Sequence, residues 1–156
     1  MKPPLRLVLD TNVVVSALLW AGRPFELLNL GAADDVRLFT SQTLLDELEK
    51  SLTKPRLAAR LSATGLTPAQ HAANYASLAE LVTSSPLPAA VSRDRDDDHV
   101  LACAIAAGAV AVVTGDDDLL VLGAYRGIAI LRVAECLAVV EAWVAVSRDS
   151  RREPSN

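Results

Sequence analysis

The chain has 156 residues, 51% of them hydrophobic, which suits one globular domain with a single core. Charged residues reach 22% and aromatics only 4%, which excludes a disordered chain and an exposed aromatic stacking sheet. The formal net charge of −4 excludes nucleic-acid binding by bulk electrostatics, which needs clustered Lys and Arg.

Residues 5–9 form an aliphatic strand that stops at Asp10-Thr11-Asn12, after which 13–20 reads as a helix. A second strand, 36–39, ends in Thr40-Ser41 and leads into an amphipathic helix over 43–52. Polar residues again sit where strand becomes helix. The segments 54–61 and 68–82 read as helices separated by Gly65-Leu66-Thr67, and Pro86 and Pro88 end that region. A helix over 98–107 is closed by Gly108, and 109–113 is an apolar strand ending in Thr114-Gly115-Asp116. Residues 119–122 make a short helix, 128–131 a last strand and 133–146 a final helix. The polar stretch 147–156 reads as a flexible tail, so the expected layout is one domain over 1–146 followed by that tail.

The apolar run 5–9 is followed by no cleavage-site pattern. The longest apolar stretch, 99–115, is too short to span a bilayer and is broken by Gly108. A cytoplasmic protein without membrane contact is the expectation. Cys103 and Cys136 lie in separate apolar stretches with no metal or redox spacing, and read as core thiols.

Apolar strands alternating with helices imply a parallel sheet covered on both faces. Ligands of such sheets bind beyond the carboxyl ends of the strands, where Asp10, Ser41 and Asp116 all fall. Seven of the 19 acidic residues crowd between Asp94 and Asp118, in the runs Asp94/Asp96/Asp97/Asp98 and Asp116/Asp117/Asp118. Each has an ordinary reading. Asp10 and Asp98 are each placed to cap the helix that follows, one of Asp116 to Asp118 caps 119–122, and Asp94 to Asp97 form a solvated loop. At 100° per residue, Leu44, Leu45, Leu48 and Leu52 make one stripe with Glu47 at its border, a position usual for a solvated acid. Caps alone do not explain why the acids fall at strand ends that a parallel sheet brings together. Carboxylates 4 Å apart repel by about 1 kcal/mol in water and about 4 kcal/mol at an effective dielectric near 20, a cost that a bound cation removes. Oxygen donors without His or thiolate favour hard ions, Mg²⁺ or Mn²⁺, over zinc.

These residues resemble the PIN domain: Asp10-Thr11-Asn12 after the first strand, Ser41 with Glu47 on the next helix, Asp98 before Leu101-Ala102-Cys103-Ala104, and Thr114-Gly115-Asp116. The resemblance covers residues 5 to 140 in order and is nearest to the bacterial toxins of toxin–antitoxin pairs, the VapC-like ribonucleases. It implies a three-layer α/β/α sandwich with a central parallel sheet of four to five strands. It also implies Mg²⁺- or Mn²⁺-dependent cleavage of RNA phosphodiester bonds by metal-activated water, a cognate antitoxin and a homodimer. Carried onto this chain, Asp10, Glu47, Asp98 and Asp116 become the catalytic acids, with Asp10, Asp98 and Asp116 as metal ligands. Asp96 and Asp97 are the adjacent alternatives to Asp98. Thr11, Asn12, Ser41 and Thr114 would orient carboxylates and water, and Asp118 would share the role of Asp116. Substrate contacts fall to Arg56, Arg93 and Arg95, together with Arg23 and Lys54. His71 lies on a remote helix, and His99 reads as a surface helix residue.

Two other readings compete. A Mg²⁺-dependent phosphatase of related architecture would want an Asp two residues after its nucleophile, where this chain has Asn12, and the late strands carry no Lys for a receiver domain. A non-catalytic PIN-like module binding RNA or protein would be marked by loss of the acids, which are all present.

Overall fold

The structure is a computed structural model that describes residues 3–88 and 95–152. Its elements are β1 (Leu5–Leu9), α1 (Thr11–Leu19), α2 (Arg23–Leu30), β2 (Val36–Thr40), α3 (Gln42–Ser51), α4 (Ala58–Thr64), α5 (Pro68–Leu78) and β3 (Glu80–Leu81). After these come α6 (Arg95–Ala107), β4 (Ala111–Val113), α7 (Asp117–Leu120), β5 (Ala124–Tyr125), β6 (Ile128–Leu131) and α8 (Val133–Arg152). The sheet order is β3-β2-β1-β4-β6-β5, with every neighbouring pair parallel except β5 and β6. This is the expected three-layer α/β/α sandwich, with five parallel strands and a short antiparallel edge strand.

Strand residues alternate between two cores, which is why the strands read as unbroken apolar runs. Leu5, Leu7 and Leu9 of β1, with Val36 and Leu38 of β2 and Ala111 and Val113 of β4, pack into the layer that holds α1, α2, α5 and α8. Val8, Phe39 and Val112 point the other way, onto Val100, Leu101, Cys103 and Ala104 of α6. Each fully buried Leu or Val contributes about 1.5–3 kcal/mol, so the central strands β2, β1 and β4 anchor the fold. Arg6 braces the second face. Its Nε donates to the Ala107 carbonyl at 2.8 Å and its guanidinium lies 4.3 Å from the Phe39 ring centre.

Several elements depart from the sequence pattern. α2 is an addition: the proline that suggests a break is in the first turn, where it costs no hydrogen bond, and Leu27 and Leu28 bury the helix. The helix expected over 68–82 stops at Leu78, because Glu80 and Leu81 find paired positions opposite Phe39 and Thr40 on the edge of β2. α6 starts at Arg95, three residues before the expected Asp98. β5 forms a hairpin with β6 through Arg126 and Gly127, whose φ values of 49° and 79° suit a tight two-residue turn. α8 continues past the expected boundary at Val146 to Arg152. Residues 153–156 lie outside the described residues. Among the described residues no single helix is long and apolar enough to cross a membrane.

His71 on α5 is buried, with Nε2 at 2.9 Å from Thr64 Oγ1. The Thr64 hydroxyl donates its one proton to the Leu61 carbonyl at 2.6 Å, so it accepts from His71, which must carry a proton on Nε2. Burial lowers the His71 pKa below its ordinary value. As pH falls, the unfolded chain therefore takes up the proton first, so this contribution to stability is complete above about pH 6.5 and is lost below it. Thermal melts between neutral pH and pH 5 should show a steeper fall for the native protein than for His71→Gln, which keeps an N–H donor but does not titrate. Parallel curves would contradict this.

Candidate metal centre

The site is built by strand register. Leu9 pairs with Val113, and the Asp10 N–H donates to the Val113 carbonyl at 2.9 Å, so residues 10 and 114 leave the sheet side by side. Asp10 caps α1, accepting the Thr11 N–H on Oδ1 at 2.8 Å, and its Oδ2 accepts the Thr114 hydroxyl at 2.7 Å. Thr114 Oγ1 in turn accepts the Asp116 N–H at 3.0 Å, and Asp116 Oδ1 accepts the Asp118 N–H at 2.9 Å, capping α7. One chain of hydrogen bonds thus runs from the end of β1 across the end of β4 to the first turn of α7. Asp10 and Thr114 are 8% and 0% exposed, so neither group could be left unpaired cheaply.

From the other face of the sheet α6 delivers Asp97. Residue 97 precedes Val100, Leu101 and Ala104 by three, four and seven positions, the spacing of one helix face, and those three are fully buried. Asp97 is accordingly 4% exposed, and its carboxylate lies with those of Asp116 and Asp118 in a group whose oxygens are within 4.8 Å of one another. Asp98, the expected ligand, is half-buried and stands outside this group. Asp97, one of the two alternatives to Asp98 in this run of acids, is the one that the helix phase brings into the group. Projecting the phase of the buried α6 positions back through the Asp run finds it, whereas counting from an assumed helix start at Asp98 does not.

Glu47 of α3 faces the helix that Asp10 caps. Thr11 Oγ1 donates to Glu47 Oε2 at 3.5 Å, and His99 Nδ1 lies 2.6 Å from Glu47 Oε1. His99, expected at the surface, is therefore tied to a candidate catalytic acid. Ser41 is buried, and its hydroxyl caps α3 by accepting the Leu44 N–H at 3.3 Å. It holds the helix that carries Glu47. Burial pushes both thiols, Cys103 and Cys136, up to about 11, which keeps them protonated core groups. Asn12 is exposed in the first turn of α1.

Of the expected substrate arginines, Arg56 stands apart from this group. Arg56 is exposed in a turn beyond the far end of α3, a helix of 10 residues, and so about 15 Å long, that is capped by Ser41. Arg95 opens α6, and Arg93 lies outside the described residues.

At 4.8 Å each carboxylate pair in the group repels by about 1 kcal/mol in water and about 3–4 kcal/mol at an effective dielectric near 20. The donors are all oxygen, with one buried, one half-buried and one exposed carboxylate, a set that fits a hard divalent cation with open positions toward solvent.

Thr114 is the hinge of this arrangement. Thr114→Val keeps the shape but removes the donor to Asp10 and the acceptor for Asp116, and should cost about 1–3 kcal/mol in urea unfolding. Thr114→Ser should recover most of it. A Val variant as stable as the native protein would show that the bond carries no weight.

The PIN domain family model matches residues 6–118. Among solved structures the fold is similar to a chain of VapBC2 from Rickettsia felis, crystallised bound to a DNA fragment from their promoter. The likeness has a TM-score of 0.55 and 16% identity, and covers 82% of this chain and 98% of that one. No curated protein matches the chain significantly. With the family match running from β1 through β4 and taking in α6 and the whole carboxylate group, the chain belongs to the PIN domain family.

Proposed function

We propose that this protein is a divalent-metal-dependent endoribonuclease, the toxin of a toxin–antitoxin pair, with Mg²⁺ or Mn²⁺ held by Asp97, Asp116 and Asp118 beside Asp10. The observation that carries this reading is the convergence of three carboxylates within 4.8 Å at the end of a hydrogen-bond chain anchored on Asp10. Membership of the PIN family, whose domains are generally nucleases, supports it. An antitoxin protein and a homodimer belong to the same proposal, by resemblance to VapC-like toxins. A cytoplasmic location does too.

A divalent ion, when bound, supplies acidification of water and neutralisation of phosphate charge. The chain's own residues do the rest. Thr11 and Thr114 fix both oxygens of Asp10, so its carboxylate needs no rearrangement to receive charge. Asp116 is oriented through the amide of Asp118 and its own amide on Thr114. Glu47, gripped by His99 and Thr11, presents a fixed acid next to the start of α1, placed to hold or accept a proton near the scissile bond. Asp98 serves on the rim of the site, outside the ligand set.

The test is incubation of purified protein with labelled RNA and DNA in Mn²⁺, in Mg²⁺ and in EDTA. RNA should be cut with either metal and not in EDTA, and Asp10→Asn should cut more than about 100-fold slower while staying folded. Undiminished cutting in EDTA would overturn the reading. Metal binding has a separate readout: at 100 times its dissociation constant, Mn²⁺ stabilises by about 2.7 kcal/mol, or about 5–10 °C in Tm for a chain of this size. Asp97→Asn should lose this rise and Asp98→Asn should keep most of it. The opposite order would return the ligand to Asp98.

A further inference from the structure

Beside the carboxylates lies a groove of about 420 Å³ that no part of the proposed chemistry uses. It is lined by Thr114, which bonds Asp10, and by Asn12 and Gly115, close in the chain to Asp10 and Asp116, so it opens next to the carboxylates. Its lining divides in two by chemistry. Pro24 and Val133 contribute apolar surface, while Arg23 at the start of α2 and Arg132 at the start of α8 contribute guanidinium groups. Both arginines are exposed, and no carboxylate among the described residues pairs with either. The Glu135 carboxylate accepts the Arg132 backbone N–H at 3.0 Å and makes no ion pair with the Arg132 guanidinium. In a chain of net charge −4, two cations without ion pairs beside a carboxylate centre stand ready to bind an anion.

We infer that this groove seats the nucleotide next to the scissile bond of a single-stranded RNA, with Arg23 and Arg132 holding its phosphate and Pro24 and Val133 contacting its sugar and base. The inference rests on the nuclease reading above and names the substrate-positioning residues for it. The volume is that of a small-ligand pocket, and guanidinium groups bind phosphate oxygens in pairs of parallel hydrogen bonds. Two local phosphate contacts also explain how an acidic protein can hold a polyanion when its overall field cannot. Arg132 follows the carboxyl end of β6, the edge at which parallel sheets receive ligands.

The experiment measures fluorescence anisotropy of a short labelled single-stranded RNA, using full-length protein carrying Asp10→Asn to prevent turnover. In that background Arg23→Gln with Arg132→Gln should weaken binding roughly tenfold or more at low salt. The same pair should flatten the salt dependence by roughly 0.7 in log-log slope for each phosphate no longer neutralised. Arg126→Gln is the charge-matched control, because Arg126 lies in the turn before β6, at the opposite edge of the sheet. It should leave binding within about twofold. The inference is overturned if the double variant binds like the control, if both variants weaken equally, or if the background protein binds no RNA. An acidic peptide that binds through the same arginines more tightly than RNA also overturns it. The cleavage assay with metal and EDTA separates the two readings. Arginine-dependent binding without any cleavage sinks the nuclease and leaves the groove, whereas cleavage with arginine-independent binding does the reverse.

Discussion

The hydrogen bond from Thr114 Oγ1 to Asp10 Oδ2 joins residues 104 positions apart, and the carboxyl edge of the sheet is organised around it. It exists because β1 and β4 are parallel neighbours in a register that sets Leu9 against Val113, so the next residue of each strand emerges at the same height. Sheet register, a consequence of apolar alternation on two faces, is thereby converted into the placement of a buried charge. Asp10 is a helix cap as well as a candidate site residue. Its charge sits at the positive end of α1, which offsets part of the cost of holding it out of water.

The remaining acids arrive from both cores. α3 is fixed by its leucines and the Ser41 cap, and it brings Glu47 from one side. α6 lies on the opposite face against Val8, Phe39 and Val112 and brings Asp97. Because each acid is carried by an element anchored through apolar packing, carboxylates that repel one another are kept close by a core that gains far more than they lose. The cluster is a cost that local chemistry did not choose and that a cation would relieve. His99 and Glu47 show a second device, in which a bond between side chains 52 positions apart fixes an acid without using the sheet.

Much of this was legible in the chain. Strands β1, β2 and β4 stand out as short aliphatic runs that stop at polar residues, and Asp10, Ser41, Thr114 and Asp116 fall at those stops because ligand-facing turns must be polar. The choice between Asp97 and Asp98 was not legible from spacing, since a run of identical residues hides where α6 begins; only the phase of Val100, Leu101 and Ala104 separates them. α2, β3 and β5 escaped for a different reason. Their formation depends on neighbours distant in sequence: Leu27 and Leu28 need a core to enter, and the two-residue strands need an edge to pair with. The bond between Glu47 and His99 and the groove between Arg23 and Arg132 likewise arise only when α3 meets α6 and when α2 meets the start of α8.

Asp97, Asp116 and Asp118, next to the Asp10–Thr114 bond, are the proposed cation site. Anomalous scattering from crystals grown with Mn²⁺ tests it most directly, because it locates the ion without reference to activity. The expected result is an anomalous peak bounded by carboxylate oxygens of Asp97, Asp116 and Asp118, on the side of the cluster that faces Asp10. A peak held by Asp98 away from Asp97, or no peak at this edge of the sheet in crystals where Mn²⁺ is bound elsewhere, would contradict it.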